Sequence, residues 1–228
     1  MEEESKALQE VAKTTGKAID AARETGGFIA KFIEGSLEQG MGIFEDRLRY
    51  MRWERQIRLM QRAQTFLALS GMEAPNRAVP MKLAIPIMQG ASLEEDDSLQ
   101  DRWAALLVNA ATISFGEVRR SYVSILEQLT PLDVQILDVL YSLPFEQSQH
   151  NGILTLELPK SARTPDEKEQ HEELPSEEVV ISLSNLARLG CIRPGMTWGG
   201  GESFARVNPT IAGRAFVNAC RVQSVQSS

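Results

Sequence analysis

The stretch that decides how this chain folds is ASLEEDDSLQDRWAALLVNAAT, residues 91–112. Five carboxylates fall within the eight positions from Glu94 to Asp101, and an uncharged run follows Trp103. Leu99, Trp103, Leu106, Leu107 and Ala110 are spaced i, i+4, i+7, i+8, i+11, which puts them on one face of a helix. A face built from these side chains has to be buried, so the segment predicts a core helix. The acids at its start have a structural reading. Ser92 and Glu95 have the spacing of a capping box, and carboxylates in a first turn meet the positive end of the helix dipole. Asp97 is expected to cap a second start at Ser98. A divalent cation is the competing reading, because Asp97 and Asp101 lie one turn apart. Hard cations want several close oxygens, and the calcium-loop pattern with its central glycine is absent. The expectation is therefore no metal, no cofactor and no catalytic residue in this cluster.

The natural counterpart of the acids lies upstream. Residues 43–70 predict a long helix, with Phe44, Leu48, Met51, Ile57, Met60, Ala63, Phe66 and Leu67 as its apolar stripe and Gly71 as its stop. Six arginines sit in it, against three acids. Arg55, Arg58 and Arg62 follow i, i+3, i+7 and share a face. With Tyr50 and Trp53 interleaved, that face has the composition of a phosphate grip. A solvated face paired with the protein's own carboxylates is the simpler expectation. Arg55, Arg58, Arg62, Glu94, Glu95, Asp97 and Asp101 are thus the candidate interaction surface. Between the two, residues 80–90 read as a short buried helix, with Pro80 in its first turn and Pro86 kinking or ending it.

Residues 1–42 read as an amphipathic helical arm. Leu8, Val11, Ala12, Ile19 and Ala22 mark one face of a first helix, which Gly26 and Gly27 interrupt. Phe28, Ile29, Phe32, Ile33, Leu37 and Met41 follow at helical spacing, thinned by Gly35 and Gly40. These six side chains are the candidate oligomer or membrane face: left open, they would exceed the few hundred Å² that monomers tolerate. An ordinary packed core helix, an element entering a membrane surface and an oligomerisation arm all fit the pattern. Burial by a second copy leads to the expectation of a homo-oligomer.

Downstream, Thr130 is placed to cap a helix with Pro131 at its first position, and GILTLEL, residues 152–158, alternates like a strand. Residues 160–177 are acidic and contain proline, and are expected to form a mobile loop. SEEVVISLSNLARLG, residues 176–190, reads as a helix. CIRPG and SFARVNP read as strands around the turn MTWGGGE, and a closing helix follows Thr210. Helix, strand, helix, hairpin, helix is the order of a winged-helix domain. In DNA-binding versions a basic helix enters the major groove. Here that helix carries Glu177 and Glu178 against Arg188 alone, so the domain is expected to bind protein, with nucleic acid disfavoured. The fold class is mostly α (α+β): an arm over 1–42, a helical domain over 43–128 and a winged-helix-like domain over 129–228 with a short antiparallel hairpin.

Composition narrows the function classes. Residues 1–91 carry 13 Lys/Arg against 12 Asp/Glu, whereas residues 92–228 carry 11 against 19. A chain with net charge −7 is not a general nucleic-acid binder. Cys191 and Cys220 form no metal pattern and His150 and His171 sit in polar surroundings. No CxxC, HExxH, GxSxG or P-loop occurs, so no enzyme is expected. The acidic start lacks a secretory signal and no apolar run reaches the roughly 20 residues of a membrane span, which predicts a cytoplasmic protein, peripheral at the inner membrane at most.

Two segments carry a family resemblance: VPMKLAIPIMQGASLEEDDSLQDRWAALLVNAA, residues 79–111, and YVSILEQLTPLDVQILDVLY, residues 122–141. Together with RLRYMRWERQIRLMQRA, residues 47–63, and more loosely NPTIAGRAFVNAC, residues 208–220, they resemble the abortive infection alpha proteins of bacteria. The resemblance implies anti-phage defence and transfers no functional residue. The expected function is a non-enzymatic defence protein acting through assembly, as a homo-oligomer or with a protein partner from phage or host. The alternatives are a membrane-perturbing effector using the N-terminal segment, and a nucleic-acid-binding regulator using the arginine helix.

Overall fold

The computed structural model describes residues 53–166, 173–197 and 199–222, together with Gly27 and Phe32. In chain order the elements are α1 (Trp53–Leu69), α2 (Met81–Leu93), α3 (Asp97–Ala110), a 3-10 turn (Ile113–Phe115), α4 (Arg120–Leu126), α5 (Pro131–Leu140), α6 (Phe145–Asn151), β1 (Ile153–Leu154), α7 (Glu177–Arg188), β2 (Ile192–Met196), β3 (Glu202–Pro209) and α8 (Ile211–Ala219). Among the described residues the architecture is mostly helical with one small antiparallel sheet of order β1–β3–β2. Ile153 pairs with Val207 across one side of β3 and Ile192 with Pro209 across the other.

The decisive stretch folds as a central helix. Ten of the fourteen residues of α3 are buried, including every position from Trp103 to Ala110. The sequence periodicity marks one apolar face, but α3 is covered on nearly all sides because α1, α2, α4, α5 and α8 all pack on it. Ala104 and Ala105 allow this, since their small side chains let neighbouring helices approach. On α1 the buried positions are Gln56, Leu59, Met60, Ala63 and Leu67. Leu59 joins the expected Met60, Ala63 and Leu67, whereas Ile57 falls at the edge of that face and is only half-buried.

The junction between α2 and α3 corrects three expectations. Helix α2 continues through Pro86 instead of ending there, with Pro80 as its N-cap. Ser92 lies inside this helix, 1% exposed, and its hydroxyl donates to the Gln89 carbonyl at 2.8 Å, so it closes no capping box. The cap of α3 is Asp96 and not Asp97: its carboxylate accepts from the Ser98 amide at 2.9 Å and the Leu99 amide at 3.0 Å. Glu94 makes the intervening turn by accepting from the amides of Glu95 at 2.8 Å and Asp96 at 2.9 Å. Because α2 runs to Leu93, the chain needs a tight three-residue link, and the acids supply its acceptors.

Helices α2 and α3 meet at one flat contact. A methyl group built on Gly90 would lie 2.4 Å and 2.5 Å from two ring carbons of Trp103. Glycine is therefore required there by closeness: the indole, 1% exposed, rests on bare backbone. The indole N–H finds no acceptor among the described residues, which costs roughly 1–3 kcal/mol that the surrounding apolar burial has to outweigh.

The second half is tied by polar contacts. Thr130 and Asp133 form a capping box at α5, with Pro131 at its first position, as expected. Asp133 is 1% exposed and also accepts from the Ser182 hydroxyl and from Asn185 Nδ2 at 3.1 Å, which fixes α7 to α5. The Tyr141 hydroxyl donates to the Cys191 carbonyl and accepts from the Thr210 amide at 3.1 Å. Burial pushes this phenol up to about 12. Gly213 passes so close that a methyl group would lie 2.0 Å from that hydroxyl. One cluster of buried apolar residues includes side chains from Phe32 to Cys220.

The strand expected over 152–158 shrinks to Ile153–Leu154. Thr155 turns inward, its hydroxyl donating to the Ala205 carbonyl at 3.1 Å, and Leu156 points out, 45% exposed. The polar segment 145–151 forms a helix that lacks an apolar stripe to announce it. Arg214 stacks over Phe145 at 3.7 Å and reaches Glu146 at 3.1 Å, which holds this helix against α8. The middle of the acidic loop, including His171, lies outside the described residues.

Two outcomes follow for stability. Trp103→Ala should cost about 3–5 kcal/mol in urea unfolding, and Gly90→Ala should also destabilise although alanine favours a helix interior by about 1 kcal/mol. A stabilised Gly90→Ala variant would show that the indole yields easily. The Asp96 carboxyl is held below its ordinary 3.8, chiefly by the Ser98 hydroxyl and then by the two backbone amides, against the effect of burial. A depressed folded pKa gives stability that is present above the unfolded value and lost as pH falls through the folded one. Asp96→Ala should thus cost about 1 kcal/mol at neutral pH, and the cost should shrink below about pH 3.9. A pH-independent cost in acid unfolding curves would refute the assignment.

Candidate functional site

Helices α1 and α3 place the candidate surface in one plane. Arg62 Nε donates to Asp101 Oδ1 at 2.6 Å, its Nη2 to Asp97 Oδ1 at 2.8 Å, and its Nη1 to the Gln100 side-chain oxygen at 3.1 Å. About two turns toward the N-terminus, Arg55 Nη1 donates to the Leu93 carbonyl at 2.8 Å and Nη2 pairs with Glu95. Arg58 lies between them, 3.7 Å from Asp97. Six of the seven residues named from the sequence therefore meet across this seam. Glu94 belongs to the α2–α3 turn instead.

The charges are unequally buried. The side chains of Arg55 and Arg62 are 16% and 22% exposed, whereas Glu95, Asp97 and Asp101 are 73%, 74% and 52% exposed. Partial burial draws the Arg62 pKa down, but the hydrogen bond and charge of Asp101, then those of Asp97, more than reverse this and leave it raised. The guanidinium is thus a fixed cation with three of its donors in use. Exposed pairs of this kind are worth about 0.2–1 kcal/mol each. Their larger effect is directional: they hold α1 in one rotation and one register against α3.

This arrangement bears on what the surface can bind. A nucleic-acid phosphate at Arg55 or Arg62 would have to displace carboxylates already within hydrogen-bonding distance. A cation at Asp97 and Asp101 would have to displace Arg62. Among the described residues no group of three or more His, Cys, Asp or Glu is placed to hold a metal ion. His150 is exposed at the end of α6. Cys191 and Cys220 are buried, and desolvation pushes both thiols up, Cys191 to about 12.

A second ionic cluster has no signal in local sequence spacing. Asp138 on α5 pairs with Arg102 of α3 and with Arg221, at 2.9 Å, beyond α8. Arg102 Nη1 also donates to the Cys220 carbonyl at 3.2 Å. Beside it, buried Asn109 Nδ2 donates to the carbonyls of Ala219 at 2.9 Å and Arg221 at 2.8 Å. The end of α8 is thereby fastened to the central helix.

Of the candidate oligomer or membrane face, Phe32 lies among the described residues. It is 1% exposed, within the core, and its carbonyl accepts from the Val79 amide at 2.7 Å. Phe28, Ile29, Ile33, Leu37 and Met41 lie outside the described residues. Among the described residues no helix is long and apolar enough to cross a membrane.

The family described as abortive infection alpha matches residues 54–220 of the chain. The match spans nearly all the described elements, and the chain belongs to that family. Membership points to antiviral defence of the abortive-infection kind. No curated protein and no solved structure matches the chain.

The ionic seam is testable by a double-mutant cycle. Arg62→Met with Asp101→Asn should give a coupling of about 0.5–1 kcal/mol in urea unfolding, at least halved in 1 M salt, where the Debye length is about 3 Å. A coupling of zero at low salt would mean that the pair forms no part of the packing of α1 on α3.

Proposed function

We propose that this abortive infection alpha protein defends by assembly, without chemistry of its own, and that its C-terminal half is a winged-helix-like module turned to protein binding. The sheet order β1–β3–β2, with α7 leading into the β2–β3 hairpin, supports the winged-helix reading. The observation that carries the functional reading is the outer face of α7. Val179, Ser182, Leu183 and Leu186 face the core, and Glu177, Glu178, Ile181, Ser184 and Arg188 face out. Ile181 is 64% exposed, and Leu174, just before the helix, 60%. A groove-reading helix would need cations where this one has glutamates. Exposed branched apolar side chains ringed by acids suit a protein surface instead.

Two occupants fit the proposal, a second copy or a partner from phage or host, and the first is the working assignment. The N-terminal arm would add a second contact. Because Phe32 is part of the core, deleting residues 1–42 would open the fold as well as remove the arm. Substitution on α7 is the cleaner test. Ile181→Arg is exposed and should leave the unfolding midpoint within about 0.5 kcal/mol of the parent. Size exclusion with light scattering should find an oligomer for the parent and a smaller species for the variant, and phage challenge should find protection lost. A folded variant that assembles and protects like the parent, or a parent that is monomeric and protects, would overturn the reading. Liposome leakage caused by a monomeric parent would replace it with the membrane effector.

A further inference from the structure

An open cleft of about 650 Å³ lies between the loop after α1, the 3-10 turn, α4 and α8, away from the α7 face and from the ionic seam. That volume falls within the roughly 300–1,000 Å³ of small-molecule sites. Met72, Phe115 and Tyr122 supply its apolar wall, and Ser114, Glu117 and Asn218 supply polar atoms. Tyr122 is 8% exposed, held edge-on against Phe216 with ring centroids 5.9 Å apart. Tyr122 lines the cleft, and its hydroxyl has no hydrogen-bond partner among the described residues. The ring is buried while the hydroxyl, unlike the Trp103 indole N–H, is not sealed from solvent, so it can offer an acceptor and a donor to a ligand that enters. Among the described residues the lining contains one carboxylate and no lysine or arginine. Desolvation raises the Tyr122 pKa, the Arg119 charge is the main opposing influence, and Cys220 and then Glu117 add smaller contributions to the rise. Arg119 is not part of the lining.

A ligand with phosphate or carboxylate groups would find no cationic side chain in this lining and would face Glu117. A positive head would find that carboxylate, a phenol oxygen and two aromatic rings, an arrangement that attracts cations by charge and by ring quadrupole together. We propose that this cleft binds a small organic cation, an amine or guanidine on an apolar body. Its head sits between Glu117 and the Tyr122 hydroxyl, and its body lies against Phe115 and Met72. The proposal does not depend on assembly through α7.

Three matched probes test it on the full chain: 2-phenylethylamine, 2-phenylethanol and phenylacetate, followed by saturation-transfer NMR and by amide chemical shifts. The amine should bind with a dissociation constant near or below about 1 mM, the alcohol more weakly, and the carboxylate not at all. Glu117 is exposed, so Glu117→Gln should fold normally; it should weaken the amine by about three- to fivefold and leave the alcohol unchanged. Tyr122→Phe should weaken both. Binding of phenylacetate as tight as that of the amine would overturn the proposal. So would absence of any amine signal at ten times the expected dissociation constant, or an amine affinity untouched by Glu117→Gln.

Discussion

The indole of Trp103 resting on the bare backbone of Gly90 sets the distance between α2 and α3, and the remaining helices are arranged around that pair. An indole needs a flat partner, and a side chain at position 90 would push the helices apart. With α2 seated this closely, α3 has nearly its whole circumference available to others. Its alanines at 104 and 105 then meet further helices at short range. Removing apolar area from water at about 25 cal/mol per Å² drives such packing but does not choose a rotation or a register. The unpaired indole N–H is in keeping with this. Shape governs the site, and among the described residues one polar group there is left without an acceptor.

Rotation and register come from the polar contacts at the edges of the core. Arg62 reaches two carboxylates one turn apart on α3, so α1 has one position that satisfies both. Asp138 does the same from α5, drawing in one arginine from α3 and one from the end of α8. Asp133 and Tyr141 serve the C-terminal half: one carboxylate joins α5 to α7, and one phenol joins α5 to both the start of β2 and the start of α8. Each of these groups is only modestly stabilising alone. Together they select one arrangement among many that would bury similar area.

The sequence was readable where a local rule and the tertiary demand agree. Helix α3 shows in its 3.6-residue period, α5 in Thr130, Pro131 and Asp133, and the hairpin in the glycines between two β-prone runs. The seam of Arg55 and Arg62 with Glu95, Asp97 and Asp101 was also readable, because both partners keep helical spacing and opposite charge. The misses have a common cause. Ser92 and Asp96 are both competent caps, and the choice between them depends on how far α2 extends, which Pro86 obscures. Alternation over 152–158 looks like a strand, but only Ile153 and Leu154 pair in register with β3, and the chain turns away after Thr155. Helix α6 is held by Arg214 from a distant segment, and Asp138 joins partners far from it in sequence. Such long-range contacts leave no trace in local periodicity.

The placement of α7 relative to this framework bears on how its outer face can work. Ser182 and Asn185 anchor α7 to the buried Asp133 of α5, and α5 in turn packs on α3. The exposed Glu177, Glu178 and Ile181 are therefore carried by a helix whose inner side is fixed by directional bonds to a buried carboxylate. Little conformational entropy remains for a partner to remove on docking there, apart from that of the exposed side chains themselves. Association through a rigid face loses less to ordering than association through a loop, so a small patch can suffice where a flexible one would need more area. The same rigidity gives a bound partner no soft element on α7 to deform. The Arg102–Asp138–Arg221 cluster ties α5 to α3 and to the end of α8, so a rigid-body movement of α5 against α3 would have to strain or break these contacts.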